Sequence, residues 1–182
     1  MKTIIAYYSY SNNNEILAKY LQQKLSCDIL KIEEKGKRWG ISIFLDLVFQ
    51  RIPRLKEHGV SLDFYDHFIF IAPIWAGKIA SPLRSFLMKE KSHIRSFSFI
   101  TVCGGGEGQL DKISKELKKL LGIDARLVKE LWINNLLSSD KRNTIKYTTR
   151  YRIGPKDLKE FRNEIDELVR AIELPTIIHY EL

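Results

Sequence analysis

The chain is poor in the residues that several large protein classes require. Only two cysteines, Cys27 and Cys103, occur in 182 residues. That is too few for a disulfide framework, so both read as reduced thiols. No apolar run approaches the roughly 18 residues of a membrane span, and Met1 leads into Lys2 and Thr3 without a charged-then-apolar leader. The expectation is a cytoplasmic, soluble protein. Neither Gly-x-x-x-x-Gly-Lys nor Gly-x-Gly-x-x-Gly is present, which argues against a nucleoside triphosphate or NAD as the resident ligand. A Gly-x-Ser-x-Gly elbow is absent, and His58, His67, His93 and His179 stand at no metal-ligand spacing from cysteines or carboxylates. A phosphoryl-receiver domain needs carboxylates where this chain has Tyr8, Ser9, Ala72 and Pro73. Acidic excess is missing as well, since 30 lysines and arginines outweigh 22 acidic residues for a formal charge of +8.

What is present begins at Ser9, Tyr10, Ser11, Asn12, Asn13 and Asn14, between the apolar run Thr3 to Tyr8 and a helical pattern opening at Glu15. Six small or polar residues leaving a buried strand can turn backbone amides, two hydroxyls and three carboxamides toward one small anion. This pattern reads either as a phosphate cradle or as an ordinary polar strand-to-helix connection. The second signal spans Phe68 to Leu87. Its apolar run ends at Ala72 and meets Pro73, Ile74, Trp75, Ala76, Gly77 and Lys78, so a second buried strand delivers an aromatic ring to its carboxyl end. Ser81 then reads as an N-cap and Pro82 as the first helical residue. A third loop, Gly104, Gly105, Gly106, Glu107 and Gly108, follows Cys103 and lets backbone approach a planar ring closely.

Strands are expected at Thr3–Tyr8, Asp28–Ile32, Phe68–Ala72, Phe97–Cys103 and Arg126–Ile133, and helices at Glu15–Leu25, from Pro82, at Gln109–Leu121 and from Gly154–Pro155. This alternation points to an α/β protein with a parallel sheet. The chain reads as one domain over 1–182, with an insertion at about 33–66 and an unassigned tail at about 174–182.

The three loops together resemble the flavodoxin family. Ser9 to Asn14 is similar to its Ser/Thr-x-Thr/Ser-Gly-Asn-Thr phosphate loop, with Asn12 where the family usually has Gly and Asn14 where it has Thr. Asn tolerates the left-handed conformation, so both changes are conservative. The resemblance implies a flavodoxin-like three-layer sandwich, a five-stranded parallel sheet in the order 2-1-3-4-5 with helices on both faces. It also implies FMN at the carboxyl ends of the strands, with cofactor contacts from Ser9, Tyr10, Ser11, Asn12, Asn13, Asn14, Pro73, Ile74, Trp75, Ala76, Gly77, Lys78, Cys103, Gly104, Gly105, Gly106, Glu107 and Gly108. Trp75 then either stacks on the flavin or plugs the core. Lys78 would favour an anionic reduced flavin, and Glu107 would oppose it.

The implied function is FMN-dependent electron transfer. An NAD(P)H-dependent quinone or flavin reductase is the first alternative, because the glycine loop has no aromatic and leaves one flavin face open to a second planar molecule. A flavin-free interaction module is the second. No catalytic proton-transfer residue is expected, since the cofactor supplies the redox chemistry.

Two features stand outside that pattern. Ile41 to Gln50 is apolar except for Ser42, Asp46 and Gln50, and reads as covered core, a homodimer contact or a flap. Basic residues cluster at Lys35, Lys37, Arg38, Arg51, Arg54 and Lys56, and again at Lys141, Arg142, Lys146, Arg150 and Arg152 with Tyr147 and Tyr151 between them. These clusters read as a solvated face, a nucleic-acid surface, or a surface for an acidic redox partner such as a ferredoxin or for the phosphates of NAD(P)H. The partner reading is the expected one, with nucleic acid disfavoured.

Overall fold

The computed structural model describes residues 1–36, 51–106 and 108–173. Five strands form one sheet: β1 (Thr3–Tyr7), β2 (Asp28–Lys31), β3 (His67–Ile71), β6 (Phe97–Cys103) and β7 (Val128–Trp132), in the order β2-β1-β3-β6-β7. Every pairing is parallel, and Ile5 stands between Ile29 on one side and Ile69 on the other. Counted among themselves, these strands follow the expected order, second-first-third-fourth-fifth.

The central strands are apolar on both faces because both faces are covered. Helices α1 (Asn13–Leu25) and α7 (Arg162–Glu173) cover one face, packing Leu17, Leu21, Ile165 and Leu168 on Ile5, Ile69 and Ile100. On the other face, α2 (Ser81–Glu90) and α3 (Gln109–Leu121) set Leu83, Phe86, Ile113 and Leu117 against Ile4, Phe68, Phe70, Phe97 and Phe99. Alternate residues of β3 thus face opposite cores, as the two-residue period of a strand requires. Burying one such Phe or Leu contributes about 1.5–3 kcal/mol.

Several boundaries differ from the sequence reading. Helix α1 opens at Asn13 rather than Glu15, because Asn12 takes the left-handed cap position. Helix α2 opens at Ser81 with Ala80 in the cap position, one residue before the expected start. Strand β7 ends at Trp132, and Ile133 opens the short helix α4 (Ile133–Leu136). The region from Gly154 holds a four-residue helix, α6 (Asp157–Glu160), broken from α7 at Phe161. Elements with no counterpart in the sequence reading include a hairpin of β4 (Ile74–Trp75) and β5 (Lys78–Ile79), and helix α5 (Ile145–Arg150).

The ends of the insertion meet in a short antiparallel contact, Glu34 opposite Leu55, with Lys35 N donating to Arg54 O at 2.9 Å. The apolar segment Ile41 to Gln50, Glu107 and the tail 174–182 lie outside the described residues. Among the described residues no helix is long and apolar enough to cross a membrane, and both cysteines are free thiols.

Candidate functional site

Strands β1, β3 and β6 are neighbours and parallel, so the three loops singled out in the sequence leave the same edge of the sheet. The first loop enters α1 through Asn12 at φ 68°, a conformation that suits Gly best and Asn next. No side chain caps this helix start, and the first return bond is Ile16 N to Asn12 O at 3.0 Å. The first-turn amides of α1 therefore have no intrahelical acceptor. Beside them the hydroxyl of Ser9 is buried and, among the described residues, is the one buried side-chain polar atom without a hydrogen-bond partner. A buried hydroxyl left unpaired costs about 1–3 kcal/mol, so this position is suited to a ligand that pairs with it. Ser11 is half-buried and Asn12 is exposed.

Asn13 and Asn14 do not aim their carboxamides at an anion, contrary to the sequence reading. Both are buried braces. Asn14 Nδ2 donates to Val102 O at 3.3 Å, and its Oδ1 accepts from Val102 N at 2.9 Å. Asn13 Nδ2 donates to Tyr151 O at 3.0 Å, and its Oδ1 accepts from Ile153 N at 3.1 Å. Each carboxamide mimics a peptide group and clamps another chain segment to the cradle. Only the backbone amides of these two residues are left to face a ligand.

The second loop is the β4–β5 hairpin. Its turn residues Ala76 and Gly77 both have positive φ, 48° and 73°, as a two-residue hairpin of this twist demands. The base is closed by Ala80 N donating to Pro73 O at 3.0 Å, and Glu116 of α3 accepts from Ile79 N at 3.0 Å while pairing with Arg84. Trp75, half-buried, meets Tyr8 and Tyr10 edge-on at centroid distances of 6.0 and 6.2 Å. Part of the Trp75 ring packs on the core, in line with the plug reading, and beside it stands Tyr10, which is 48% exposed. Ile74 and Lys78 pair across the hairpin with Ile79 and Trp75 respectively.

The third loop rests on a residue that sequence reasoning missed. Gly105, at φ 90°, lies so close to Trp132 that a Cβ there would stand 2.7 Å from its ring carbons Cγ and Cδ2. Trp132 Nε1 donates to Glu130 at 2.9 Å, and Gln109 Nε2 donates to the other oxygen of Glu130 at 2.6 Å. The loop therefore sits on a ring whose own orientation is fixed by a shared carboxylate. Gly106 has open space where a side chain would project, and Gly108, at φ 65°, caps α3. Cys103 is buried beneath; burial, helped by the charge of Glu130, pushes its thiol up to about 12, so it stays protonated and is no nucleophile.

A strap from α4 through α5 to Ile153 closes the same edge. Thr148 lies 3.5 Å from where a Gly104 side chain would start, and Asn13 holds the strap's end. Reciprocal bonds between Asn134 and Asn143 at 2.9 and 3.1 Å shape its bend. The basic segment Lys141 to Arg152 thus lies beside the cradle and the glycine loop, a placement that composition did not reveal.

No protein-family profile matches the sequence, and no curated protein resembles it significantly. Solved structures do resemble it. A flavoprotein from Lactobacillus acidophilus, solved in complex with FMN, superposes with a TM-score of 0.62 at 16% identity, covering 71% of this chain and 92% of its own. A candidate flavoprotein from Bacteroides eggerthii gives 0.63 at 15% identity, covering 91% and 98%. The flavodoxin, WrbA-like protein from Agrobacterium tumefaciens gives 0.54 at 15% identity, covering 93% and 95%. At these identities the likeness establishes the architecture, and the chain has a flavodoxin-like α/β fold.

Proposed function

We propose that the chain binds FMN and acts as a flavodoxin-like redox protein that transfers electrons. The observation that carries this reading is the buried, unpaired hydroxyl of Ser9 beside the uncapped start of α1. An FMN phosphate would satisfy both features. The hydroxyls of Ser9 and Ser11 and the backbone amides of Asn12, Asn13 and Asn14 would hold it. The hairpin with Trp75 and Tyr10 would wall one side of the ring and the Gly104–Gly106 backbone the other, with Trp132 keeping that backbone in place. The bound flavin supplies the one- and two-electron chemistry; the protein binds it, orients it and excludes water from one side. That a neighbour of this fold was solved with FMN supports the choice of ligand.

The test is a titration of the purified protein with FMN, read by quenching of flavin fluorescence and by thermal stability. FMN at about 100 times its dissociation constant should stabilise the folded state by about 2.7 kcal/mol. Riboflavin, lacking the phosphate, should bind far more weakly. Ser9→Ala should weaken FMN while leaving the free protein at least as stable as before, because this hydroxyl has no partner to lose and its unpaired burial is relieved. Excess FMN that neither loses fluorescence nor raises the melting temperature would replace this reading with a flavin-free interaction module.

A reductase is the second reading, favoured by the open space beyond Gly106. It requires the FMN-loaded protein to oxidise NADH or NADPH in the presence of a quinone.

A further inference from the structure

We propose that the strap from Lys141 to Arg152 is a docking surface for an acidic one-electron redox protein of the iron–sulfur type. Its electron path rests on the FMN reading; its contact does not. The strap holds five basic residues, Lys141, Arg142, Lys146, Arg150 and Arg152, and no acidic one, with Asp140 just before it. All five are exposed, and among the described residues none forms a salt bridge. Several lysines elsewhere are paired, Lys19 and Lys31 with Glu15, Lys24 with Asp166, Lys118 with Asp124 and Lys129 with Glu167, whereas the strap concentrates its basic residues in one short segment. Arg142 donates to Leu137 O and Arg152 to Thr149 O and Tyr151 O, and Asp140 neighbours Lys141, yet positive charge remains in excess, so a surface of opposite sign is its complement.

An apolar contact stands amid the charges. Ile145, at the start of α5, is 79% exposed, and Tyr147 lies two residues on. A large exposed aliphatic side chain ringed by charge matches the anchor and rim of a protein interface. Single-stranded nucleic acid would instead need bare aromatic faces for its bases. Here the ring of Tyr147 already has the ammonium groups of Lys141 and Lys146 at 5.9 and 5.8 Å.

Position completes the argument. Thr148 touches the edge of Gly104, and Tyr151 and Ile153 are bound to Asn13 of the cradle. A partner seated on α5 stands directly beside the loop assigned to the flavin ring. Two successive dockings, each oxidising one partner centre by one electron, reduce one flavin with the uptake of two protons from solvent.

The experiment uses a strongly acidic plant-type [2Fe–2S] ferredoxin as the probe. Its binding to the FMN-free protein is titrated directly, and its reduction of the FMN-loaded protein is followed by stopped flow. Raising salt from about 0.02 to about 0.5 M should lower both affinity and rate at least tenfold, since steering between exposed charges is screened over a few ångströms at high salt. Lys146→Glu with Arg150→Glu should lower both about tenfold at low salt. Ile145→Ser should weaken binding several-fold at every salt concentration. The FMN dissociation constant and reduction by dithionite should not change in any of these variants. Ferredoxin binding that ignores salt and the charge reversals overturns the proposal. So does an oligonucleotide that binds more tightly than ferredoxin near 0.15 M salt and is lost in the same variants. If the FMN-free protein binds ferredoxin as expected but FMN does not bind, the docking surface stands and the flavin reading falls.

Discussion

The two ends of the parallel sheet are built to different rules. At the amino end, polar groups are matched, buried and exposed alike. The ring nitrogens of His67 lie 2.9 and 3.2 Å from the hydroxyls of Ser96 and Ser98, Asp66 accepts from Lys2 N at 2.7 Å, and Tyr65 donates to Asp28 at 2.7 Å. At the carboxyl end a buried hydroxyl has no partner, while positive φ occurs at both ends, at Asn12, Ala76, Gly77 and Gly105 here and at Ser26 and Gly122 at the amino end. One end closes the fold, while the other keeps unmet hydrogen bonding available for a ligand. Substitutions at the amino end should change stability alone, and those at the carboxyl end should separate stability from binding.

The largest effect is expected at Gly105. Replacement by Val requires a β-branched residue at φ 90° and forces Trp132 away, so it should cost about 3 kcal/mol or more and abolish FMN binding. Gly106→Val is the contrast: the fold should tolerate it, since nothing lies within 4 Å of the new Cβ, and FMN should weaken if that space belongs to the ring. Denaturant melts and FMN titrations of both variants check this pair. Equal stability would break the distinction between a glycine that packs and a glycine that makes room.

His67 sharpens the amino-end side. Burial, with the charge of Arg126, lowers its pKa to about 4 from 6.5. The unfolded chain therefore takes up a proton between about pH 6.5 and 4 while the folded chain does not. Stability should be full above pH 6.5 and fall as pH drops through that window, by up to about 3 kcal/mol. His67→Gln should flatten this dependence, measured as melting temperature against pH, without changing FMN affinity at neutral pH.

Asn14→Ala should cost about 2 kcal/mol, because the N–H and C=O of Val102 both lose their buried partner. Unlike Ser9→Ala, it should destabilise the free protein. The smallest effect belongs to Asn12→Gly, which relieves a left-handed non-glycine residue but frees the unfolded chain. The two should cancel to within about 1 kcal/mol, with FMN affinity kept.

The contrast also marks what could be read from the sequence. Strand and helix positions were legible because apolar spacing follows burial. Phe97 to Cys103 and Gln109 to Leu121 fall where the pattern put them, and Asn12 was foreseen in its left-handed role. The uses of Asn13 and Asn14 were not legible, since an amide reaching 88 or 140 residues along the chain leaves no local signature. Trp132 was hidden for the same reason: its importance comes from a glycine in another loop. The hairpin at Ile74–Ile79 was masked because Pro73, Ala76 and Gly77 announce a turn without saying that it pairs.

The reach of those two asparagines has a consequence for biosynthesis. Residues 9–14 are made long before the residues that brace them, since the turn is pinned to Val102 and then to Tyr151 and Ile153. A nascent chain that ends before Val102 carries the motif without the site, and one that ends before Tyr151 lacks half of the brace. On the FMN reading, the loop is not arranged for its ligand until the chain has been made through Ile153.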